Sequence, residues 1–127
     1  MDPKAIENHI RQRFDDRSFD VNRLADELKV SESYLREIVN LSYNCSPHHL
    51  IETIRLEKAI RLLQNKNIHV YSVCSNVGYA NLKTFRTAFK KRIGIAPCEF
   101  KNILYESKNM SVEIEYKIHC LWSSYDI

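Results

Sequence analysis

Glycine and proline are scarce in this 127-residue sequence, two of one and three of the other, and all five stand where helices would begin or end. Pro3, Pro47 and Pro97 follow Asp2, Ser46 and Ala96, at what would be a first helical position, where the missing N–H costs nothing. Gly78 and Gly94 sit just past periodic segments, as left-handed residues that end helices do. Also missing is any apolar run long enough to cross a membrane. Near the start, Asp2, Lys4, Glu7, Arg11 and Arg13 interrupt what a secretory signal would keep apolar. The four cysteines, Cys45, Cys74, Cys98 and Cys120, form no C-x-x-C pair, so zinc and redox chemistry are not indicated and reduced thiols in the cytosol are expected. The length suits one compact domain, or two small subdomains sharing an element, and an apolar share of 44% suffices for a core.

What is present is helical periodicity, and it repeats. Ile6, Ile10 and Phe14 recur every four residues, which predicts an amphipathic helix over about 3–14 with its polar remainder facing water. Val21, Leu24, Ala25, Leu28, Val30, Leu35, Ile38 and Val39 follow, with Asp20 and Ser31 placed to cap two helices. This is the spacing of a helix-turn-helix. Ala25 lets the helices cross closely, and Lys29 occupies the turn position that prefers glycine, at a cost of up to about 1 kcal/mol. The pattern returns 49 positions on, where Val70, Val73, Cys74, Val77, Gly78 and Tyr79 match Val21 to Val30. One inserted residue then makes the offset 50, so that Phe85, Arg86, Ala88 and Phe89 match Leu35, Arg36, Ile38 and Val39. Repetition of the turn and of the small residue together is stronger evidence than either copy alone. Cys74, opposite Ala25, reads as a small buried residue.

Between the copies, residues 48–64 form a helix whose apolar face changes side: Leu50, Ile51 and Ile54 lie on one face, and Leu56, Ala59, Ile60, Leu62 and Leu63 on roughly the opposite one. It is expected to act as a rigid strut between two units. The expected fold is all-α, with about seven helices: a helix-turn-helix subdomain at 1–47, the linker helix at 48–64, and a second helix-turn-helix subdomain at 65–105 closed by Phe100, Ile103 and Leu104. In the tail, 106–127, Val112, Ile114, Tyr116 and Ile118 alternate with Glu113, Glu115, Lys117 and His119, which is strand periodicity. Three fates are open for it: pairing with a second chain, docking on the helical body through Leu121 and Trp122, or remaining a disordered tail.

Charge is unevenly spread. From Phe19 to Cys45 three basic residues face five acidic ones, a net −2, whereas from Lys66 to Lys101 seven basic residues face Glu99 alone, a net +6. Lysine and arginine that neutralise phosphates supply most nonspecific affinity for duplex DNA, so the second unit is the expected anchor. A solvated basic surface, with Lys90, Lys91 and Arg92 complementing a helix dipole, would give the same run.

Leu24-Ala25, Ser31, Tyr34-Leu35, Ser46-Pro47, Arg55-Leu56, Lys58-Ala59, Leu62-Leu63, Val77-Gly78-Tyr79, Phe85, Phe89-Lys90-Lys91, Gly94, Pro97 and Phe100-Lys101 together resemble the DNA-binding domain of AraC-type transcription regulators. The resemblance runs from about Ile6 to Lys101. It implies a monomeric unit whose two recognition helices, here about 33–41 and 82–92, enter successive major-groove segments on one face of the duplex and control transcription. It also implies double-stranded DNA and RNA polymerase as partners, action in the bacterial cytoplasm at the nucleoid, and no cofactor. The chain departs from the family pattern where specificity would be set. Arg36 and Arg86 directly follow the apolar residue, one position earlier than usual, and Val39, Asn40 and Asn44 replace a common phenylalanine, lysine and turn glycine.

Candidate DNA-contacting residues are Ser33, Arg36, Glu37, Asn81, Lys83, Arg86, Thr87, Lys90 and Lys91. Glu37 would accept a hydrogen bond from cytosine N4 in the groove, or pair with a neighbouring basic side chain in solvent. No enzymatic chemistry is expected: the Pro-Cys-His-Arg context of methyl-transferring relatives is Pro97-Cys98-Glu99-Phe100 here, and Cys45, His48 and His49 lack a fourth metal partner. The rival reading is a protein-binding module that antagonises another regulator, with self-association or a partner held through 112–122. With too few residues before Phe19 to fold around a ligand, the chain reads either as a complete regulator or as a domain of a longer one.

Overall fold

The computed structural model describes residues 1–123, and its order of elements is α1 (Pro3–Arg13), α2 (Val21–Leu28), α3 (Glu32–Tyr43), α4 (Pro47–Leu62), α5 (Val70–Asn76), α6 (Leu82–Ile93), α7 (Pro97–Glu106) and α8 (Met110–Ser123). The starts of α1, α2, α3, α4 and α6 are set by short polar side chains that satisfy otherwise orphaned backbone donors. Asp2 accepts from the amide of Lys4, Asp20 from Arg23, Ser31 from Tyr34, Ser46 from His49, and Asn81 from both Lys83 and Thr84. The stops repeat as well. Lys29 (φ 59°) and Gly78 (φ 90°) occupy matching turns after α2 and α5, and Asn44 (φ 56°) and Gly94 (φ 98°) end α3 and α6. Each of these backbones is left-handed, so one unit places glycine where the other tolerates lysine or asparagine.

Two apolar cores result. Ile6, Ile10, Phe19, Leu24, Ala25, Leu35, Val39, Leu50, Ile51 and Ile54 make the first. The second draws on α4 to α8, with Leu56, Ala59, Ile60, Leu63, Val73, Cys74, Phe85, Phe89, Phe100 and Leu104 among its members. The change of apolar face along α4 therefore does what its pattern predicts: its first half closes one core and its second half the other. Cys74 is buried, its thiol 3.5 Å from the carbonyl of Tyr79.

The strut is not the sole connection between the units. Arg55 of α4 donates from Nε to the carbonyl of Phe14 (2.9 Å) and from Nη2 to those of Asp16 (3.2 Å) and Phe19 (2.9 Å), while its guanidinium lies 5.7 Å over the ring of Tyr79. Gly78 of the second unit lies against the same Phe14 carbonyl. The loop after α1 is thus pinned directly to the turn of the second helix-turn-helix.

Two expectations are corrected. Residues 110–123 are a helix and not a strand: Ile114, Ile118 and Leu121, at i, i+4 and i+7, are buried in the second core, and Val112 and Tyr116 are left 60% exposed. Asn109, whose side chain accepts from the amide of Val112, sits at its start. Docking on the helical body through Leu121 and Trp122 is the fate the structure selects, and residues 124–127 lie outside the described residues. In α1 the polar side is not wholly solvated, because Glu7 is buried, accepting from Arg11 Nε (2.9 Å) and Tyr43 Oη (2.9 Å). Burial pushes the Glu7 carboxyl up, but these hydrogen bonds more than offset it and leave it below its ordinary value. Among the described residues no helix is long and apolar enough to cross a membrane.

Candidate nucleic-acid interface

In each helix-turn-helix the second helix buries one stripe and presents the opposite one. α3 buries Leu35 and Val39, and α6 buries Phe85, Phe89 and Ile93. Turned outward on α3 are Ser33, Arg36, Glu37, Asn40 and Leu41, which together line a shallow depression. The offset of 50 places Lys83, Arg86, Thr87, Lys90 and Lys91 at the same positions of α6, all exposed. Four of the five outward positions on α6 are cationic, against one of five on α3.

All nine candidate residues from the sequence are exposed, and eight of them fall on these two faces. The ninth, Asn81, uses its side-chain oxygen to cap α6, so only its amide nitrogen is left to donate. The state of the charges separates exposed cations from those engaged within the fold. Arg11, Arg13, Arg23, Arg61 and Arg92 are ion-paired to carboxylates, and Arg55 is bonded to backbone carbonyls. Among the described residues, Arg36, Lys83, Arg86, Lys90 and Lys91 take part in none of the ion pairs, and neither does Glu37. The Glu37 carboxylate faces outward on the same side of α3 as Arg36, with no ion pair to it among the described residues.

The +6 of the second segment shrinks when its members are placed. Arg92 is only 6% exposed, donating to Glu52 Oε1 (2.6 Å), Thr53 Oγ1 (2.8 Å) and the carbonyl of Leu121 (3.4 Å). Lys101 donates to the carbonyl of Ile68 and stacks on Tyr105. These two are engaged with groups of the protein itself, Arg92 with α4 and α8 and Lys101 with the loop before α5. Sequence reasoning missed the structural roles of Arg55 and Arg92; the available signal for Arg92 was its place four positions after Ala88 on a side of α6 where small and apolar residues recur. Beside α6, Glu52 of α4 borders the depression formed by Lys83, Thr84, Thr87, Ala88 and Lys91, where its charge is neutralised by Arg92. Among the described residues no three histidine, cysteine or carboxylate side chains converge as metal ligands would.

The family model described as a helix-turn-helix domain matches residues 24–103. Among curated proteins, the Msm operon regulatory protein of Streptococcus mutans is 32% identical over 84 residues, 66% of this chain and 30% of that one. The raffinose operon transcriptional regulatory protein RafR of Pediococcus pentosaceus is 36% identical over 78 residues, 61% of this chain and 28% of that one. A putative AraC-like transcription regulator of Streptomyces lividans is 31% identical over 85 residues, covering 67% and 28%. The matched stretches thus span less than a third of these relatives' own lengths. Among solved structures, the C-terminal domain of AraT, a response regulator from Geobacillus stearothermophilus, superposes with a TM-score of 0.78 at 28% identity over 84% of this chain and 90% of that one. The C-terminal domain of the response regulator yesN from Fusobacterium nucleatum does so with 0.73 at 26% identity, over 77% and 95%. Paired helix-turn-helix units sharing one linker helix, outward recognition helices with unpaired cations, and these likenesses converge: the chain belongs to the AraC-type family of helix-turn-helix DNA-binding transcription regulators.

Proposed function

We propose that α3 and α6 enter successive major-groove segments of one duplex and that α6 supplies most of the affinity. The observation that carries this reading is the set of four exposed cations on α6, Lys83, Arg86, Lys90 and Lys91, none of them ion-paired among the described residues and none with an acidic neighbour on its own helix. α3 offers Arg36 alone, with Glu37 beside it to be repelled by phosphate or to accept from cytosine N4. Ser33 and Thr87 stand in the first halves of their helices as weaker base or phosphate contacts. Working from one face of the duplex, the chain would leave the other sides to RNA polymerase and to a protein partner at the exposed Val112 and Tyr116, in the bacterial cytoplasm at the nucleoid.

Salt and selection test the reading together. Selection of duplexes from a random pool should return one bipartite motif with half-sites about 10 base pairs apart. On that duplex, log affinity should fall with log salt by about 0.9 per neutralised phosphate, so the four α6 cations alone would give a slope of about −3.6. Arg86→Ala should weaken binding more than Arg36→Ala. Equal losses would remove the dominance of the second unit, and salt-insensitive binding would remove DNA as the ligand of these faces.

A further inference from the structure

We propose that α8 is a brace that fixes the angle and separation of the two recognition helices and so sets the half-site spacing the protein accepts; the spacing follows from the two-headed reading above. α8 begins after residue 103, where the helix-turn-helix match ends, yet its last turn reaches all three parts of the molecule. Trp122 Nε1 donates to Glu57 Oε1 of α4 (2.7 Å). The other oxygen of Glu57 accepts from Arg11 of α1 (2.8 Å), whose guanidinium also lies 5.8 Å over the Trp122 ring. Next to it, the carbonyl of Leu121 accepts from Arg92 of α6. Of the described side chains, Phe14 and Trp122 are the two that pack against both cores.

These two mark separate seams between the units. At the first, Arg55 ties the Phe14 loop to the turn at Gly78. At the second, Glu57 gathers Arg11 and Trp122. Residues 55 and 57 are two positions apart, about 200° around a helix of 3.6 residues per turn, so the seams lie on opposite sides of the strut. A single seam leaves a hinge, about which one unit can rock against the other. A second seam across the strut restrains that motion, and α8 contributes to it by bringing Trp122 to Glu57 and Arg11.

Trp122→Ala opens the second seam, and Trp122→Phe keeps the packed ring while removing its donor. Both are tested in the full chain, on duplexes in which the two selected half-sites are moved closer and farther by one or two base pairs. The parent chain should lose about tenfold in affinity away from its preferred spacing, as a rigid bivalent reader must. Trp122→Ala should flatten that profile to within about threefold, with Trp122→Phe between, while affinity for an isolated half-site stays within about twofold. A DNA-free measurement accompanies it: the distance distribution between spin labels on α3 and α6 should broaden in Trp122→Ala. A parent-like spacing profile and label distribution in Trp122→Ala would overturn the brace. Should thermal melting show Trp122→Ala to be unfolded, Trp122→Phe decides by the same two readouts. A parent chain indifferent to spacing, with label distances that still broaden on substitution, would sink the two-headed reading and leave the brace standing.

Discussion

Alanine at Gly78 and alanine at Gly94 should differ in cost by about 1.5–3 kcal/mol, although both glycines are left-handed at nearly the same φ. A Cβ at Gly94 would meet nothing within 4 Å. Its substitution therefore carries only the backbone penalty, about 1–2 kcal/mol. A Cβ at Gly78 would lie 2.2 Å from the Phe14 carbonyl oxygen, 3.0 Å from Arg55 Nε and 3.3 Å from the carbonyl carbon of Asp15. The first of these is a backbone atom, and it already accepts the 2.9 Å hydrogen bond from Arg55. It can retreat only by giving up that bond, which, being charge-assisted, is worth about 1.5–3 kcal/mol. With the backbone penalty the sum is about 2.5–5 kcal/mol, a large part of the 5 to 15 or so that holds a typical domain. Urea denaturation followed by far-UV circular dichroism, extrapolated to water for both variants, reads the difference directly. Equal losses within about 0.5 kcal/mol would refute the close approach of the two units at Gly78.

The same reasoning extends to three further substitutions and conditions. Lys29→Gly relieves the left-handed strain that Gly78 spares its own unit, and should stabilise by about 0.5–1 kcal/mol after the entropic cost of glycine in the unfolded chain; a loss in the same urea assay would contradict it. Arg55→Lys should cost at least about 2 kcal/mol, because a single ammonium cannot fork to the carbonyls of Phe14, Asp16 and Phe19, and each orphaned acceptor is worth about 1–3; tolerance of lysine would show that the fork is dispensable. Acid should weaken the fold in a defined window: hydrogen bonds from Arg13 and His9 hold the Glu27 carboxyl down at about 2, against 4.5 when free. A depressed carboxylate stabilises above its unfolded value and loses that contribution as pH falls toward the folded one, so the melting temperature should drop between about pH 4.5 and 2. Asp16, held low by the amide and hydroxyl of Ser18, acts in the same sense. Glu27→Gln should flatten the slope, and an unchanged slope would remove Glu27 from the acid transition.

How far the sequence could be read depended on whether one pattern or two lay on each element. α4 was legible because its two apolar faces are separated along the helix, Leu50 to Ile54 and then Leu56 to Leu63, and each meets its own core. α8 was misread because its apolar residues fall on opposite sides at the same height. Val112 and Tyr116 are exposed where Ile114 and Ile118 are buried, and a helix with apolar side chains on both faces alternates along the chain as a strand does. The helical spacing of Ile114, Ile118 and Leu121, with Asn109 at the start, was the discriminating signal. Arg55 and Arg92 were illegible for a different reason. Charge alone does not distinguish an arginine aimed at carbonyls inside the protein from one aimed at solvent, and a count of basic residues weights Arg92 and Arg86 equally although one is enclosed by Glu52, Thr53 and Leu121 and the other is exposed.

The repeat itself explains why scaffold and specificity came apart in the reading. Positions that must perform the same physical task in both units pair by chemistry across the offset: Leu35 with Phe85 and Val39 with Phe89 in the cores, Asn44 with Gly94 at the left-handed stop, Pro47 with Pro97 at the first helical position. Positions turned outward share no such task. Of the five pairs, only Arg36 and Arg86 agree; Ser33 faces Lys83, Glu37 faces Thr87, Asn40 faces Lys90, and Leu41, 81% exposed, faces Lys91. A half-site fitted to one face would therefore leave charges or apolar surface unmatched on the other. If these faces read DNA as proposed, leucine and asparagine in place of two lysines would leave α3 with fewer phosphate anchors and add an apolar contact of the kind that meets a thymine methyl. On the proposed reading, two heads on one scaffold with such faces would call for a target whose halves are unlike, the α6 half tolerant of sequence and steep in salt, the α3 half weak but selective.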